Sequence, residues 1–133
     1  MNVCRLGPGD EAVVAALATR KTQTELLADD RTLFLAAFDG EESVGFVLAY
    51  ELLRRHGDRS ILFVYEIEVA EAHRRRGIGT VLMRELERYA SERGIREGFL
   101  LTDEANEPAM RFYEALGGVR ERDDDVLFVF TYD

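Results

Sequence analysis

The sequence predicts an α/β (α+β) protein with about six to seven strands and about four helices, and three observations carry that prediction. The apolar run Ile61-Leu62-Phe63-Val64-Tyr65 passes into the alternating Glu66-Ile67-Glu68-Val69, which is strand chemistry of β-branched and aromatic residues followed by period-two alternation. Beyond the basic, glycine-containing stretch Ala72–Thr80, the residues Ile78, Val81, Leu82, Leu86 and Tyr89 recur at helical spacing, with Arg84, Glu85, Glu87 and Arg88 mostly on the other face. Upstream, two strand-like runs at Thr32–Phe38 and Ser43–Leu53 flank Asp39-Gly40-Glu41-Glu42, a hairpin signal.

Taken in order, Asn2–Leu6 reads as a short first strand ended by Gly7-Pro8-Gly9. Asp10 is placed to cap a helix whose inner face carries Val13, Val14 and Leu17. Thr22–Asp29 reads as a second short helix with Leu26 and Leu27. Within the hairpin, Gly45 implies a bulge or a close backbone approach. Arg54–Arg59 is a polar loop in which His56 reads as a surface residue. The long helix is expected to end near Arg93-Gly94, with Gly94 as the C-terminal cap. Gly98–Thr102 follows as a buried strand. A helix then runs from about Asn106 to Leu116, ended by Gly117-Gly118. Last comes a hairpin of Val119–Arg122 and Val126–Tyr132 around the acidic turn Asp123-Asp124-Asp125. At 133 residues, with no linker, repeat or low-complexity stretch, the expectation is a single domain over 1–133.

Composition bounds the partners. No apolar run approaches membrane-spanning length and the N-terminus lacks a signal-peptide pattern, so the expected location is cytoplasmic, with no membrane partner. Cys4 is the sole cysteine, which excludes an intramolecular disulfide and reads as a buried strand residue rather than a nucleophile. A formal net charge of −9 repels nucleic acid and attracts cationic ligands. The same charge equally fits simple solubility, or a salty or high-GC host, since Lys21 is the only lysine among 17 basic residues.

The basic loop has its own chemistry. The first turn of a helix carries unpaired N–H groups and a partial positive charge. Glycines at 77 and 79 let a phosphate approach the backbone, and successive amides can form a concave nest. Arg74, Arg75 and Arg76 add positive potential. The plain alternative is a tight turn closed by a solvated basic cluster. A Walker loop is excluded because Thr80 follows Gly79 with no lysine between them. A dinucleotide fingerprint is excluded because the third small position is the bulky Leu82.

Arg74-x-x-Gly77-x-Gly79 after a strand ending at Val69 resembles the coenzyme A signature of the GNAT superfamily of N-acetyltransferases. Asn106-Glu107-Pro108-Ala109-Met110-Arg111-Phe112-Tyr113 resembles that superfamily's later helix, with its Asn, small residue and Tyr. The resemblance implies a mixed, mostly antiparallel central sheet flanked by helices. It implies acetyl-CoA as cosubstrate, no metal, and pyrophosphate held by Arg74, Arg75, Arg76, Gly77, Ile78, Gly79 and Thr80. Asn106, Ala109 and Tyr113 are assigned to the coenzyme on the same ground. Within the superfamily, Leu26–Asp30, Leu35–Asp39, Val44-Gly45, Ala49-Tyr50, Tyr65–Val69 and His73–Arg75 look like type I aminoglycoside 3-N-acetyltransferases, over roughly residues 26 to 117.

Acetyl transfer from a thioester to an amine needs a held donor, a neutral amine, a stabilised oxyanion and a proton for the leaving sulfur. Pantetheine amides would pair with the main chain near Ile67 and Val69 as an added strand, with an N–H near Val69 aimed at the thioester carbonyl. If Ile67 and Val69 face the core helix, Glu66 and Glu68 share the opposite face and can take a proton from an ammonium; either could instead be a cross-strand salt-bridge partner. The subgroup's acidic position falls on Glu66. Tyr113 shares a helix face with Ala109 and Asn106; as an arbitrary helical tyrosine it would be a packing residue, and its motif makes it the candidate acid. In the superfamily the segment around 22–29 walls the acceptor pocket, which makes Glu25, Asp29 and Asp30 candidate cation contacts or else solvated helix ends. The expected function is direct acetyl transfer to a primary amine of a small cationic acceptor, aminoglycoside-like or polyamine-like. The alternatives are a protein or peptide N-acetyltransferase and a non-catalytic acyl-CoA-binding regulator. A homodimer is left open.

Overall fold

A computed structural model of the chain describes residues 1–57 and 60–132. Of the polar loop expected at Arg54–Arg59, Asp58 and Arg59 lie outside the described residues. The chain divides into two compact units, Met1–Leu101 and Thr102–Asp133.

The first unit is built on a five-stranded sheet of β1 (Asn2–Arg5), β2 (Thr32–Asp39), β3 (Glu42–Leu52), β4 (Ile61–Val69) and β5 (Gly98–Phe99), in that spatial order. The first four strands are mutually antiparallel and β5 runs parallel to β4. Helices α1 (Glu11–Leu17) and α2 (Ile78–Glu92) complete the unit, with 3₁₀ turns at Glu25–Ala28 and Glu71–His73.

Period-two alternation sorts the central strands between two cores. Leu33, Leu35, Val47, Ala49, Leu62 and Val64 pack with Ile78, Leu82 and Leu86 of α2. Phe34, Ala36, Phe46 and Leu48 face the other way and pack with Val14 of α1 and Leu27. This explains why β2 reads as an unbroken apolar run: both of its faces are covered. The four buried α2 positions, Ile78, Leu82, Leu86 and Ala90, stand one turn apart, so one stripe anchors the helix. Each of its large side chains contributes roughly 1.5–3 kcal/mol of burial.

The expected local signals are found at Gly40, with φ 63° in the β2–β3 turn, and at Gly94, with φ 77° just past α2. Gly45 is a point of close approach: a Cβ there would lie 2.9 Å from the carbonyl oxygen of Glu68.

Several expectations are corrected. The helix expected over Thr22–Asp29 is a single 3₁₀ turn, Glu25–Ala28. Gly98–Thr102 is neither long nor buried: β5 spans two residues, and Phe99 and Leu101 are exposed. Its ladder stops at the Phe63–Phe99 pair, just before a bulge in β4 that breaks pairing there. Cys4 is exposed, because Val3 is the β1 residue turned to the α2 core.

In the second unit, helix α3 spans Glu107–Ala115. Asn106 caps it, its Oδ1 accepting the Ala109 N–H at 3.2 Å, and Pro108 sits in the first turn. Gly117 at φ 95° and the Gly118 N–H to Tyr113 carbonyl bond of 2.9 Å close its C-terminus. The hairpin expected over Val119–Tyr132 is absent among the described residues, which hold five strands and three α-helices rather than about six to seven and about four. The acidic turn is present, with Arg122 paired to Asp124 at 3.1 Å, but Val126–Val129 and Phe130 are exposed and unpaired in a ladder. Strand composition supplies propensity only; a strand exists once a neighbouring backbone accepts its hydrogen bonds. Among the described residues, no helix is long and apolar enough to cross a membrane.

Candidate active site

The basic loop is held as a nest. Arg75 and Gly77 both adopt left-handed backbone, φ 64° and 79°, and Gly77 caps the N-terminus of α2. The Val81 N–H reaches the Gly77 carbonyl at 3.0 Å, whereas the N–H groups from Arg75 to Thr80 have no protein acceptor among the described residues. Orphan amides that converge at a positive helix end suit an anion. A Cβ at Gly77 would meet nothing within 4 Å, so the space on that side of the loop is open. Arg74 turns back and donates its Nε–H to the Val69 carbonyl at 3.0 Å. Arg75 and Arg76 are exposed and, among the described residues, free of ion pairs. This donor set fits a diphosphate such as that of coenzyme A.

Strand β4 delivers the second feature. Across from β3, Leu48 pairs with Glu66 and Ala49 with Val64, so Tyr65 is the extra, bulged residue. The bulge shifts the alternation by one. Leu62 and Val64 face α2 before it, and Ile67 and Val69 pack against the same core after it. Glu66 and Glu68 are therefore put on the opposite face, beside Leu48 and Phe46, and both are exposed. Neither carboxylate has an ion pair or hydrogen bond among the described residues, so the cross-strand salt bridge considered for them is not formed. Because β5 pairs only with Leu62 and Phe63, the outer edge of β4 from Val64 to Val69 carries no strand among the described residues.

Beside this edge lies a pocket of about 400 Å³ lined by Arg20, Phe63, Val64, Tyr65, Glu66 and Leu101. Four rings stand in a row next to it. Phe63 stacks on Phe99 at 4.8 Å, meets Tyr65 edge-on at 5.7 Å, and Tyr65 meets Tyr50 at 5.8 Å. Burial raises the Tyr50 phenol above its ordinary value, and the neighbouring charges of Tyr65 and Glu66 push the same way.

The sequence carries no signal for Arg20 or the aromatic row beside this pocket, and the acidic residues expected near the acceptor lie elsewhere or are engaged. Asp30 is taken by Arg93 at 3.3 Å and Arg5 at 3.9 Å, and Asp29 accepts the Arg31 N–H at 2.9 Å. Neither these nor Glu25 lines the pocket. Arg20 lies more than forty residues from Phe63 in the chain, so no spacing pattern could announce it.

The first unit thus gathers Glu66, Ile67, Glu68, Val69 and the loop Arg74-Arg75-Arg76-Gly77-Ile78-Gly79-Thr80 within one strand, turn and helix start. Asn106, Ala109 and Tyr113 belong to the second unit, on or capping α3. There Asn106 Oδ1 is engaged as the helix cap. Tyr113 is half-buried beside Phe112, ring centroids 5.2 Å apart, and burial raises its phenol above the usual value.

Comparison with known proteins agrees with this architecture. The streptothricin acetyltransferase of Streptomyces lavendulae is 34% identical over 90 residues, covering 68% of this chain and 45% of that protein. A mycothiol acetyltransferase of Corynebacterium efficiens is 32% identical over 99 residues, covering 74% of this chain and 31% of that protein. The chain therefore spans less than half the length of these curated relatives. The solved structure of an aminoglycoside acetyltransferase from an uncultured soil metagenomic sample superposes with a TM-score of 0.90, at 32% identity, covering 99% of this chain and 98% of that one. An AAC(6')-Iy structure in complex with a bisubstrate analogue shares the fold, with a TM-score of 0.78 at 18% identity over 99% of this chain and 98% of that one. Residues 8–118 match the acetyltransferase (GNAT) family, and with the nest at α2, the free edge of β4 and the capped second motif helix in place, the chain belongs to that family.

Proposed function

We propose that the chain is an acetyl-CoA-dependent N-acetyltransferase that moves acetyl directly to a primary amine of a small cationic acceptor, aminoglycoside-like or polyamine-like. The observation that carries this reading is the junction at Val69. Among the described residues, a strand with a free outer edge and two unpaired carboxylates runs into a nest of unpaired amides. The acceptor class is supported by the net charge of −9 and by the names of the streptothricin and aminoglycoside acetyltransferases at 34% and 32% identity.

The loop amides of Arg75–Thr80, with the free guanidinium groups of Arg75 and Arg76, bind the diphosphate. The edge of β4 near Ile67 and Val69 takes the pantetheine amides as an added strand. Bound there, the coenzyme supplies an activated acetyl thioester. Glu66 accepts a proton from the acceptor ammonium, directly or through water, and leaves a nucleophilic amine; Glu68 stands on the same face as the alternative base. A main-chain N–H near Val69 stabilises the carbonyl oxygen as it gains charge. Tyr113 carries the acid role through its place in the second motif; its phenol is protonated at neutral pH, and burial raises it further.

The test is a thiol-release assay with acetyl-CoA over aminoglycosides, polyamines, amino acids and peptides. Turnover on small amines is the expected result. Tight coenzyme binding without turnover on any amine would instead make the chain an acyl-CoA-binding regulator, and activity confined to peptides would move it to protein acetylation.

A further inference from the structure

The pocket that presents Glu66 also presents Arg20, and Arg20 is its one basic lining residue. Among the described residues, Arg20 has no ion pair or hydrogen bond, and Glu66 has none either, so the two do not neutralise each other. A carboxylate and a guanidinium, both unpaired, therefore share a space of about 400 Å³ whose remaining lining is Phe63, Val64, Tyr65 and Leu101. A polyamine would satisfy Glu66 and be repelled by Arg20. An amine that also carries an anion would satisfy both.

We infer that Arg20 selects the acceptor, and that the preferred acceptor is a small amine bearing a carboxylate, with its ammonium on Glu66 and its carboxylate on Arg20. This rests on the acetyltransferase reading and goes beyond it on the acceptor, replacing a carboxylate-free polyamine or aminoglycoside by an amine that carries a carboxylate. The planar, forked guanidinium matches a carboxylate through two parallel N–H donors, geometry that a lysine ammonium does not reproduce. In a chain of net charge −9, a singly charged carboxylate is repelled less than a doubly charged phosphate. Phe63, Val64, Tyr65 and Leu101 offer an apolar lining for the carbon skeleton between the two charges. Arg20 acts here by binding substrate and takes no part in proton transfer.

The experiment uses matched acceptors that differ only in the carboxylate: free lysine against cadaverine, and ornithine against putrescine. Thiol release is measured with wild type, Arg20→Gln, Arg20→Lys and Arg20→Glu. Wild type is expected to favour the carboxylated member by about 10-fold or more in kcat/KM, the scale of one charge-assisted hydrogen bond. Arg20→Gln should bring the ratio near one through KM, Arg20→Lys should restore it in part, and Arg20→Glu should reverse it. Arg20 is exposed, so the variants should fold. An unchanged ratio in Arg20→Gln overturns the inference, as does an effect confined to the KM of acetyl-CoA. If wild type turns over none of these amines, calorimetry of the same four decides: tighter binding of the carboxylated pair, lost in Arg20→Gln, supports the inference even though the acetyltransferase reading fails for them. Equal binding rejects it.

Discussion

Arg74 donates its Nε–H to the main-chain carbonyl of Val69 at 3.0 Å, so the nest is tied to the last residue of the strand that presents the carboxylates. This gives Arg74 a positioning role distinct from that of the free Arg75 and Arg76. Arg74→Ala should weaken coenzyme A binding by roughly tenfold, about 1.4 kcal/mol, through a looser nest, with the melting temperature nearly unchanged because the bond is solvent-exposed. Titration calorimetry checks the first effect and calorimetric melting the second. Unaltered affinity would remove the coupling between loop and strand.

A carboxylate placed inside the nest should exclude the coenzyme. Gly79→Asp lies in the first turn of α2, where an acidic side chain favours the helix dipole. The variant should therefore stay folded and lose coenzyme A binding. Gly77→Asp should do the same, but Gly77 sits at φ 79°, so a side chain there also costs about 1–2 kcal/mol of backbone strain. Wild-type affinity in folded Gly79→Asp would refute the site.

Glu66→Gln should lower kcat/KM on amines by roughly 10²-fold while coenzyme affinity holds, as for a positioned general base. Glu68→Gln, two pairs further along the ladder opposite Phe46, should cost far less. The reverse ranking would transfer the role to Glu68.

Tyr113→Phe removes only the phenolic proton and should cut turnover by about 10²-fold at neutral pH, with folding and coenzyme binding retained. The deficit should shrink at high pH, where a departing thiol needs no proton. Burial raises the Tyr113 phenol above 10.0, so its stabilising contribution is complete below pH 10 and is lost as pH rises through the folded value. Wild type should accordingly lose melting temperature relative to Tyr113→Phe only in strong alkali. A wild-type rate for the variant, with chemistry rate-limiting, would leave Tyr113 as a packing residue.

Glu51 joins the end of α2 to β3. Its Oε1 accepts the Arg93 Nε–H at 2.7 Å, and its Oε2 accepts the Ser60 hydroxyl at 2.7 Å. Burial pushes this carboxyl up, but the bonds from Ser60 and Arg93 and the charges of Arg93 and Arg31 outweigh it, and its pKa falls below 4.5. A depressed folded value contributes stability that is present above pH 4.5 and lost as pH falls through the folded value. Glu51→Gln should cost about 1–3 kcal/mol at neutral pH, and the difference in melting temperature should narrow below pH 4.5. A difference independent of pH would mean that charge plays no part.

The parts of this protein legible in sequence are those that one segment encodes for itself. The spacing of Ile78, Leu82 and Leu86 records which face of α2 is buried, because a helix repeats within its own length. Gly40 and Gly94 announce left-handed turns because only local sterics decide them. The nest was readable for the same reason: Arg74 to Thr80 is a continuous stretch whose glycines and helix start define its chemistry. Other features depended on a neighbour. Tyr65 looks like any strand residue until β3 fixes the register and leaves it unpaired, and that single extra residue turns Ile67 and Val69 onto α2 and puts Glu66 and Glu68 on the opposite face. Gly98–Thr102 and Val126–Tyr132 have strand composition, but a strand needs a second backbone to bond to, and composition cannot name it. Arg20 and Glu66 line one pocket only because the folded chain brings distant segments together, so tertiary structure alone decided which charges share that space.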